Sequence, residues 1–222
     1  AKMSKNVVIE TKIKDIPLCF ETDPKIFSPT AVDIGTLSML SVIDFSQGDK
    51  VLDLGCGYGV VGILAGKLIG EQNVILCDIS EKAVECARRN AHLNGVPGVD
   101  IRISNGFENI AEDDFTLILS NPPYHTDFSV AKHFIEAGFK KLCVNGRMVM
   151  VTKRLDWYKN KLSAVFGGVK VRQMNGYWVF IAEKREHFRP KKVKNHKPSK
   201  KLQRKQKRSR PNVPPHGEPS LK

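Results

Sequence analysis

The chain has 222 residues, 41% of them apolar and 27% charged, and a net charge of +13. That length suits one domain, or one domain with an appendage, and leaves enough apolar residues for a sizeable core. The five cysteines (Cys19, Cys56, Cys77, Cys86, Cys143) form no C-x-x-C pair. The set argues against a disulfide framework and a zinc site and for a reducing compartment, so a cytoplasmic location is expected. With no run of about eighteen apolar residues anywhere, and no long apolar run at the start, neither a membrane span nor a signal peptide is expected.

The elements follow in chain order. Asn6–Ile13 and Leu18–Glu21 read as a short hairpin, and Thr30–Ile43 as a helix. Lys50–Leu54 is a strand, Val60–Ile69 a helix and Asn73–Cys77 a strand. Glu81–Asn94 is a helix, capped by Ser80 and ended by Asn94-Gly95. Asp100–Ser104 and Phe115–Ser120 are strands, and Val130–Leu142 is a helix with Ser129 as N-cap. Arg147–Thr152 is a strand and Asp156–Phe166 a helix. Val169–Met174 and Tyr177–Ala182 close the series as a hairpin turned by Asn175-Gly176. Repeated βα units predict a Rossmann-like, mostly parallel sheet of seven strands, with helices on both faces. The final hairpin makes one strand antiparallel.

The charge is not spread evenly. From Lys184 to Lys222 there are 15 Lys and Arg against 2 Asp and Glu, which leaves 21 of each sign in residues 1–183. The last stretch, 186–222, is rich in Lys, Arg and Pro and nearly empty of large apolar residues. Such a segment buries too little surface to offset its ordering entropy, so a disordered polybasic tail is expected after a folded domain at 1–185.

"VLDLGCGYGVVGILAG" follows the first core strand. Gly55, Gly57 and Gly59 lie between strand and helix, where glycine permits a tight turn and a close ligand approach. Asp53 lies two residues before Gly55, and Asp78 ends the next strand, where a carboxylate can accept from a ribose diol. A dinucleotide site would show G-x-G-x-x-G. The D-x-G-x-G-x-G spacing here instead resembles motif I of class I S-adenosylmethionine (SAM) methyltransferases. That resemblance implies SAM as cofactor, with Asp53 near its methionyl ammonium end, Asp78 at its ribose and Ile79 among the cofactor-binding residues.

"LSNPPYHTD" interrupts an apolar strand with two prolines. Asn121-Pro122-Pro123-Tyr124 matches the [NDS]-P-P-[YFW] motif of the same family. A conjugated nitrogen is a poor nucleophile because its lone pair is delocalised. The Asn121 side-chain carbonyl and the Pro122 backbone carbonyl can accept its two N–H groups, and the prolines hold both acceptors rigid. Tyr124 can stack on the planar group.

"IFSPTAVDIGTLSML", "ISNGFENI" and "NPPYHTD" together resemble the methyltransferase small domain family, in particular its ribosomal RNA small-subunit methyltransferase C group. The resemblance implies that Asp33, Gly35 and Thr36 lie near the methionine end of SAM. Asn105 and Gly106 would border the adenine, and Asn121, Pro122, Pro123 and Tyr124 would form the catalytic mould. The implied substrate is a guanine amino group in 16S ribosomal RNA, with the basic tail contacting RNA or the ribosomal subunit. Two alternatives stay open: methylation of a protein glutamine, as in release-factor methyltransferases, and a non-catalytic RNA-binding assembly factor. The two-domain members of the group carry a further N-terminal domain that has no counterpart in these residues.

Other candidates read more simply. His125 fits a role supporting the site residues, or an RNA contact, better than a general base, because a methylated amine can lose its proton to water. Lys153-Arg154 reads as a solvated rim, with phosphate contact as the alternative. Trp157 and Tyr158 read as packing, with base stacking as the alternative. No His/Cys/Asp/Glu group has metal-ligand spacing, so no metal is expected.

Overall fold

A computed structural model describes residues 7–22, 30–123, 127–186 and 188. Strands β3 (Val51–Leu54), β4 (Val74–Asp78), β5 (Asp100–Ile103), β6 (Phe115–Ser120), β7 (Leu142–Thr152), β8 (Lys170–Met174) and β9 (Tyr177–Glu183) form one sheet. Their order is β5-β4-β3-β6-β7-β9-β8, and β9 alone runs antiparallel to its neighbours. The order reverses between β3 and β6. That reversal is the switch point at which open α/β sheets bind ligands, beyond the carboxyl ends of the strands.

Alternation along each strand feeds two cores. Val51, Leu76, Leu117, Leu119, Val149 and Val151 pack with helices α1 (Ile34–Ser41), α2 (Val60–Ile69) and α3 (Glu81–Leu93). Leu52, Leu54, Ile118, Met148, Met150 and Phe180 pack with α4 (Phe128–Lys141) and α5 (Asp156–Phe166). By the same alternation Asp53 lies on the α2 face, and Asn121, two residues beyond Leu119, on the α1 face. Both are then carried to the N-terminus of a helix.

A separate hairpin, β1 (Val7–Ile13) and β2 (Ile16–Thr22), packs on α3. Asn94, the C-cap of α3, accepts from the Cys19 N–H at 3.0 Å and donates to its carbonyl at 2.7 Å. Asn90 treats Glu21 in the same way, at 2.8 and 3.0 Å. Two side-chain amides thus satisfy the backbone that an adjacent strand would otherwise pair.

Several boundaries move from their sequence reading. Helix α1 is shorter because the Asp33 carboxylate caps it, accepting from the Thr36 N–H at 2.8 Å. Asp127, not Ser129, is the N-cap of α4; its side chain accepts from the Ser129 N–H at 2.9 Å. Strand β2 runs back through Pro17, whose missing N–H costs little beside the hairpin turn. Strand β7 starts five residues earlier than Arg147, since the Asn145 N–H donates to the Lys184 carbonyl and the Lys184 N–H to the Gly146 carbonyl. A 3-10 turn at Glu71–Asn73 takes Asn73 from the strand read at Asn73–Cys77, and its first two residues had no sequence reading.

The chain divides into a unit of residues 1–190 and one of residues 191–222, and the second lies outside the described residues. The first continues past Glu186: the Phe188 ring closes over Gly167, so that a Cβ there would meet it at 2.5 Å. No helix among the described residues is long and apolar enough to cross a membrane.

Candidate active site

A cavity of about 450 Å³ opens over the switch point. The ends of β3, β4, β5 and β6, the first turn of α1, and Val130 and Phe134 of α4 enclose it. Asp33, Thr36, Asp53, Gly55, Gly57, Asp78, Ile79, Asn105, Gly106, Asn121, Pro122 and Pro123 all line it. Tyr124 and His125 lie outside the described residues, as do Phe27 and Ser28.

The glycine turn is built by hydrogen bonds from below. The N–H groups of Gly55 and Cys56 both donate to the Cys77 carbonyl at 2.9 Å, tying the turn to the end of β4. The Gly57 N–H donates to Asp78 Oδ2 at 2.9 Å, and the Ser80 N–H to Asp78 Oδ1 at 2.9 Å. Gly57 has φ +55°, and a Cβ there would meet nothing within 4 Å. The residue is required by its backbone conformation, and its missing side chain leaves the cavity wall open.

Gly35 and Gly59 differ: neither lines the cavity. A Cβ on Gly35 would lie 2.7 Å from the Tyr177 ring, and one on Gly59 would lie 2.8 Å from Ile63. Gly35 lets Tyr177 pack on the first turn of α1, and Gly59 lets α2 start against α3.

Asp53 is buried, and its Oδ2 accepts from the Gly62 N–H in the first turn of α2 at 2.8 Å. Its pKa is pushed up to about 7. Burial is the main cause; the Gly62 N–H opposes it, and the nearby Asp78 adds to it. A carboxyl poised in this way gains most from a cation entering the cavity.

At the β5 end, Ser104 Oγ donates to the Gly106 carbonyl at 2.8 Å and accepts from the Asn109 N–H at 3.0 Å. Asn105 Nδ2 donates to Glu108 at 2.9 Å. These bonds fold residues 104–109 into a fixed rim.

At the β6 end, Ser120 Oγ donates to the Leu54 carbonyl at 2.8 Å and pins the strand end to β3. Asn121 Nδ2 donates to Asp33 Oδ2 at 2.8 Å and to Thr36 Oγ1 at 3.0 Å. Both amide protons are used, and the amide is oriented. Asn121 Oδ1 is then buried and, among the described residues, has no hydrogen-bond partner. An acceptor held in this way is built to receive a donor from outside the protein.

Sequence reasoning missed Ser104, Val130, Phe134 and Tyr177. Val130 and Phe134 carry the apolar spacing of any helix that faces a core, which conceals their contact with the cavity. Tyr177 OH stands 3.5 Å from Asp33 Oδ1, a contact between β9 and α1 that no local pattern announces. Among the described residues no group of His, Cys, Asp or Glu could hold a metal ion.

A seven-stranded sheet of this order, with an acid-and-glycine cavity at its switch point, is the architecture of SAM-dependent methyltransferases. The chain belongs to the methyltransferase small domain family, which matches residues 17–181. It is 34% identical over 160 residues to the ribosomal RNA small subunit methyltransferase C of Serratia proteamaculans, covering 70% of this chain and 46% of that protein. The protein of the same name from Escherichia coli K12 is 32% identical over 163 residues, covering 72% and 47%. Among solved structures, the T. thermophilus 16S rRNA N2 G1207 methyltransferase (RsmC), in complex with AdoMet and guanosine, superposes with a TM-score of 0.72 at 25% identity, over 80% of this chain and 50% of that one. The chain therefore spans about half the length of the relatives it matches.

Proposed function

We propose that this chain transfers a methyl group from SAM to an exocyclic amino group of a nucleobase in ribosomal RNA, and that the base is guanine, modified at N2 in the small-subunit RNA. The carrying observation is Asn121 Oδ1, a buried acceptor without a partner among the described residues, on an amide whose two protons are already committed. An unpaired buried acceptor costs about 1–3 kcal/mol. An entering N–H relieves that cost, so the site favours an amine or amide nitrogen.

The lining fits the cofactor. Asp33, Thr36 and the buried carboxyl of Asp53 suit its cationic methionyl end, and Asp78 its ribose diol. Ile79, Asn105 and Gly106 suit the adenine, with Gly55 and Gly57 leaving room between. Gly35 and Gly59 act through the walls they shape. When bound, SAM supplies an electrophilic methyl group on a sulfonium. Asn121 Oδ1 accepts one N–H of the substrate amine and the Pro122 carbonyl the other, which turns the nitrogen lone pair out of conjugation. Pro122 and Pro123 fix the acceptors, so little reorganisation is needed. Tyr124 stacks on the base. The added proton leaves to water once the new C–N bond has formed.

The relatives named for small-subunit ribosomal RNA support the substrate class, and the neighbour in complex with guanosine supports the base. A ribosomal substrate agrees with a cytoplasmic location. The folded unit of residues 1–190 serves as the catalytic domain and 191–222 as a basic appendage that holds RNA. Tritium transfer from labelled SAM, with total RNA and total protein as competing acceptors, tests the reading. Label in RNA, in a methylated guanine after nuclease digestion, is expected. Label in a protein glutamine would move the assignment to the release-factor reading, and no transfer to either to the assembly-factor one.

A further inference from the structure

We propose that Lys153 and Arg154 form a phosphate fork over the mouth of the acceptor cavity, holding the RNA backbone on either side of the nucleotide whose base enters it. The proposal rests on the RNA reading above and names the surface that would make the contact.

Strands β6 and β7 run parallel, with Ser120 opposite Met150. Continued in step, Pro123 leaves β6 at the level where Lys153 leaves β7, and both are exposed. Side-chain alternation then sends the two cations to opposite faces of the sheet edge. Lys153 goes to the α1 side, where its Nζ stands 5.0 Å from the centroid of the Tyr177 ring. Tyr177 OH reaches Asp33, which orients Asn121, so this ammonium is two side chains from the acceptor amide. Arg154 goes to the α4 side, where its guanidinium stands 5.0 Å from the Phe128 ring. Phe128 is the first helical residue after the acceptor motif, and its ring stacks on Trp157 at 4.3 Å, 13° from parallel.

The two cations are thus anchored on aromatic rings to either side of the strand end that carries Asn121-Pro122-Pro123. A cation over a ring face is positioned without losing its charge, and a guanidinium so held keeps the planar fork that matches phosphate. No ion pair among the described residues includes Lys153. The chemistry calls for such a device. A base must leave its stack to enter the cavity, and backbone contacts on either side hold the strand while it does. In this arrangement Trp157 supports Phe128 and does not stack on a base.

The test uses the full chain with Lys153→Ala, Arg154→Ala, the double variant and Lys153→Arg. RNA affinity is measured across a salt series on deproteinised small-subunit ribosomal RNA and on small-subunit particles, beside SAM affinity and thermal midpoint. Each alanine is expected to weaken RNA binding and to lower the salt slope by about 1. KM for RNA should rise, SAM affinity and midpoint should hold, and Lys153→Arg should restore the slope. A double variant with the wild-type slope and KM, while the wild type methylates RNA, overturns the fork alone. A wild type that methylates protein and binds neither RNA sample overturns the fork together with the reading beneath it.

Discussion

The side-chain amide of Asn121 donates to Asp33 Oδ2 at 2.8 Å across 88 residues of sequence, joining the end of β6 to the cap of α1. The bond decides which way the amide faces. A carboxylate accepts and cannot donate, so Asn121 must turn its nitrogen to the cap of α1, which leaves Oδ1 buried and, among the described residues, unpaired. Thr36 Oγ1 takes the second proton and reinforces the choice.

Asp33→Asn tests that orientation. Asn is as good an N-cap as Asp, so α1 should survive. The new amide can present either its oxygen or its nitrogen to Asn121, so the orientation of the Asn121 amide is no longer forced. Methyl transfer in a single turnover should slow by on the order of 10-fold or more, toward the 10²–10³ range of a lost preorganised group, with the thermal midpoint nearly unchanged. A wild-type rate would mean that Asp33 does not set the amide.

Asn121→Ala should cost on the order of 10²–10³ in rate while sparing SAM affinity, since the proposal assigns its oxygen to the acceptor nitrogen and not to the cofactor. Tyr124→Ala should slow transfer, and Tyr124→Phe should largely preserve it, because a stacked ring needs no hydroxyl. Rapid-quench rates beside calorimetric SAM affinities check all three variants.

Asp53 predicts a pH signature. Its pKa is raised from 3.8 to about 7 in the fold, so the ligand-free fold favours its neutral form. Its contribution to stability is full below pH 3.8 and is lost as pH rises through about 7. A bound cation has the opposite preference. SAM affinity should therefore climb as pH rises toward 7 and level off above it. Calorimetry in buffers of different ionisation heat should record proton release on binding near pH 6.5 and none near 8.5. Asp53→Asn, which keeps an acceptor for the Gly62 N–H, should abolish the release.

The parts of the site legible in the sequence were those fixed by local chemistry. Glycines with positive φ, an acid ending a strand and a double proline each impose a backbone shape by themselves, and they located the turn, Asp78 and the acceptor motif. The mostly parallel sheet followed from the repeated βα units, and its one antiparallel strand from the final hairpin. What stayed hidden was every relation made at a distance. The capping of α1 by Asp33 and its grip on Asn121 need both elements in place. The Ser129 reading failed because two capping residues stood two apart, and only the helix start distinguishes them. Asn90 and Asn94 did leave a signal: two amides four apart on the apolar face of an amphipathic helix, which must find partners when buried.

Asn90→Ala should be among the most damaging changes outside the cavity. The fully buried amide accepts from the Glu21 N–H and donates to the carbonyls of Glu21 and Tyr58, so it ties the hairpin to the glycine turn. Its loss strands the Glu21 N–H and the Tyr58 carbonyl, while the Glu21 carbonyl keeps the Cys86 thiol, at about 1–3 kcal/mol for each group left dry. Denaturant unfolding should show a loss of at least about 2 kcal/mol, and SAM affinity should fall with it, since Tyr58 lines the cavity. A variant with native stability would show that water replaces the amide at no cost.

Removing residues 191–222 should separate RNA affinity from chemistry. The cut keeps Phe188 over Gly167, so the folded unit stays whole. The excess charge of the chain lies in the segment from Lys184 onward, and residues 1–183 are neutral. Contacts to phosphate release counterions, with a slope of roughly −0.7 to −0.9 per phosphate neutralised. The truncated protein should bind ribosomal RNA more weakly, with a flatter salt dependence. It should still modify the same nucleotide, because phosphate contacts position a protein and base contacts specify its target. The residual slope should be that of the Lys153 and Arg154 fork, and combining the truncation with both alanines should bring it close to zero. A salt series on the three proteins, with the modified nucleotide mapped by nuclease digestion, checks each step. Equal affinities and slopes before and after truncation would mean that the basic segment does not hold RNA.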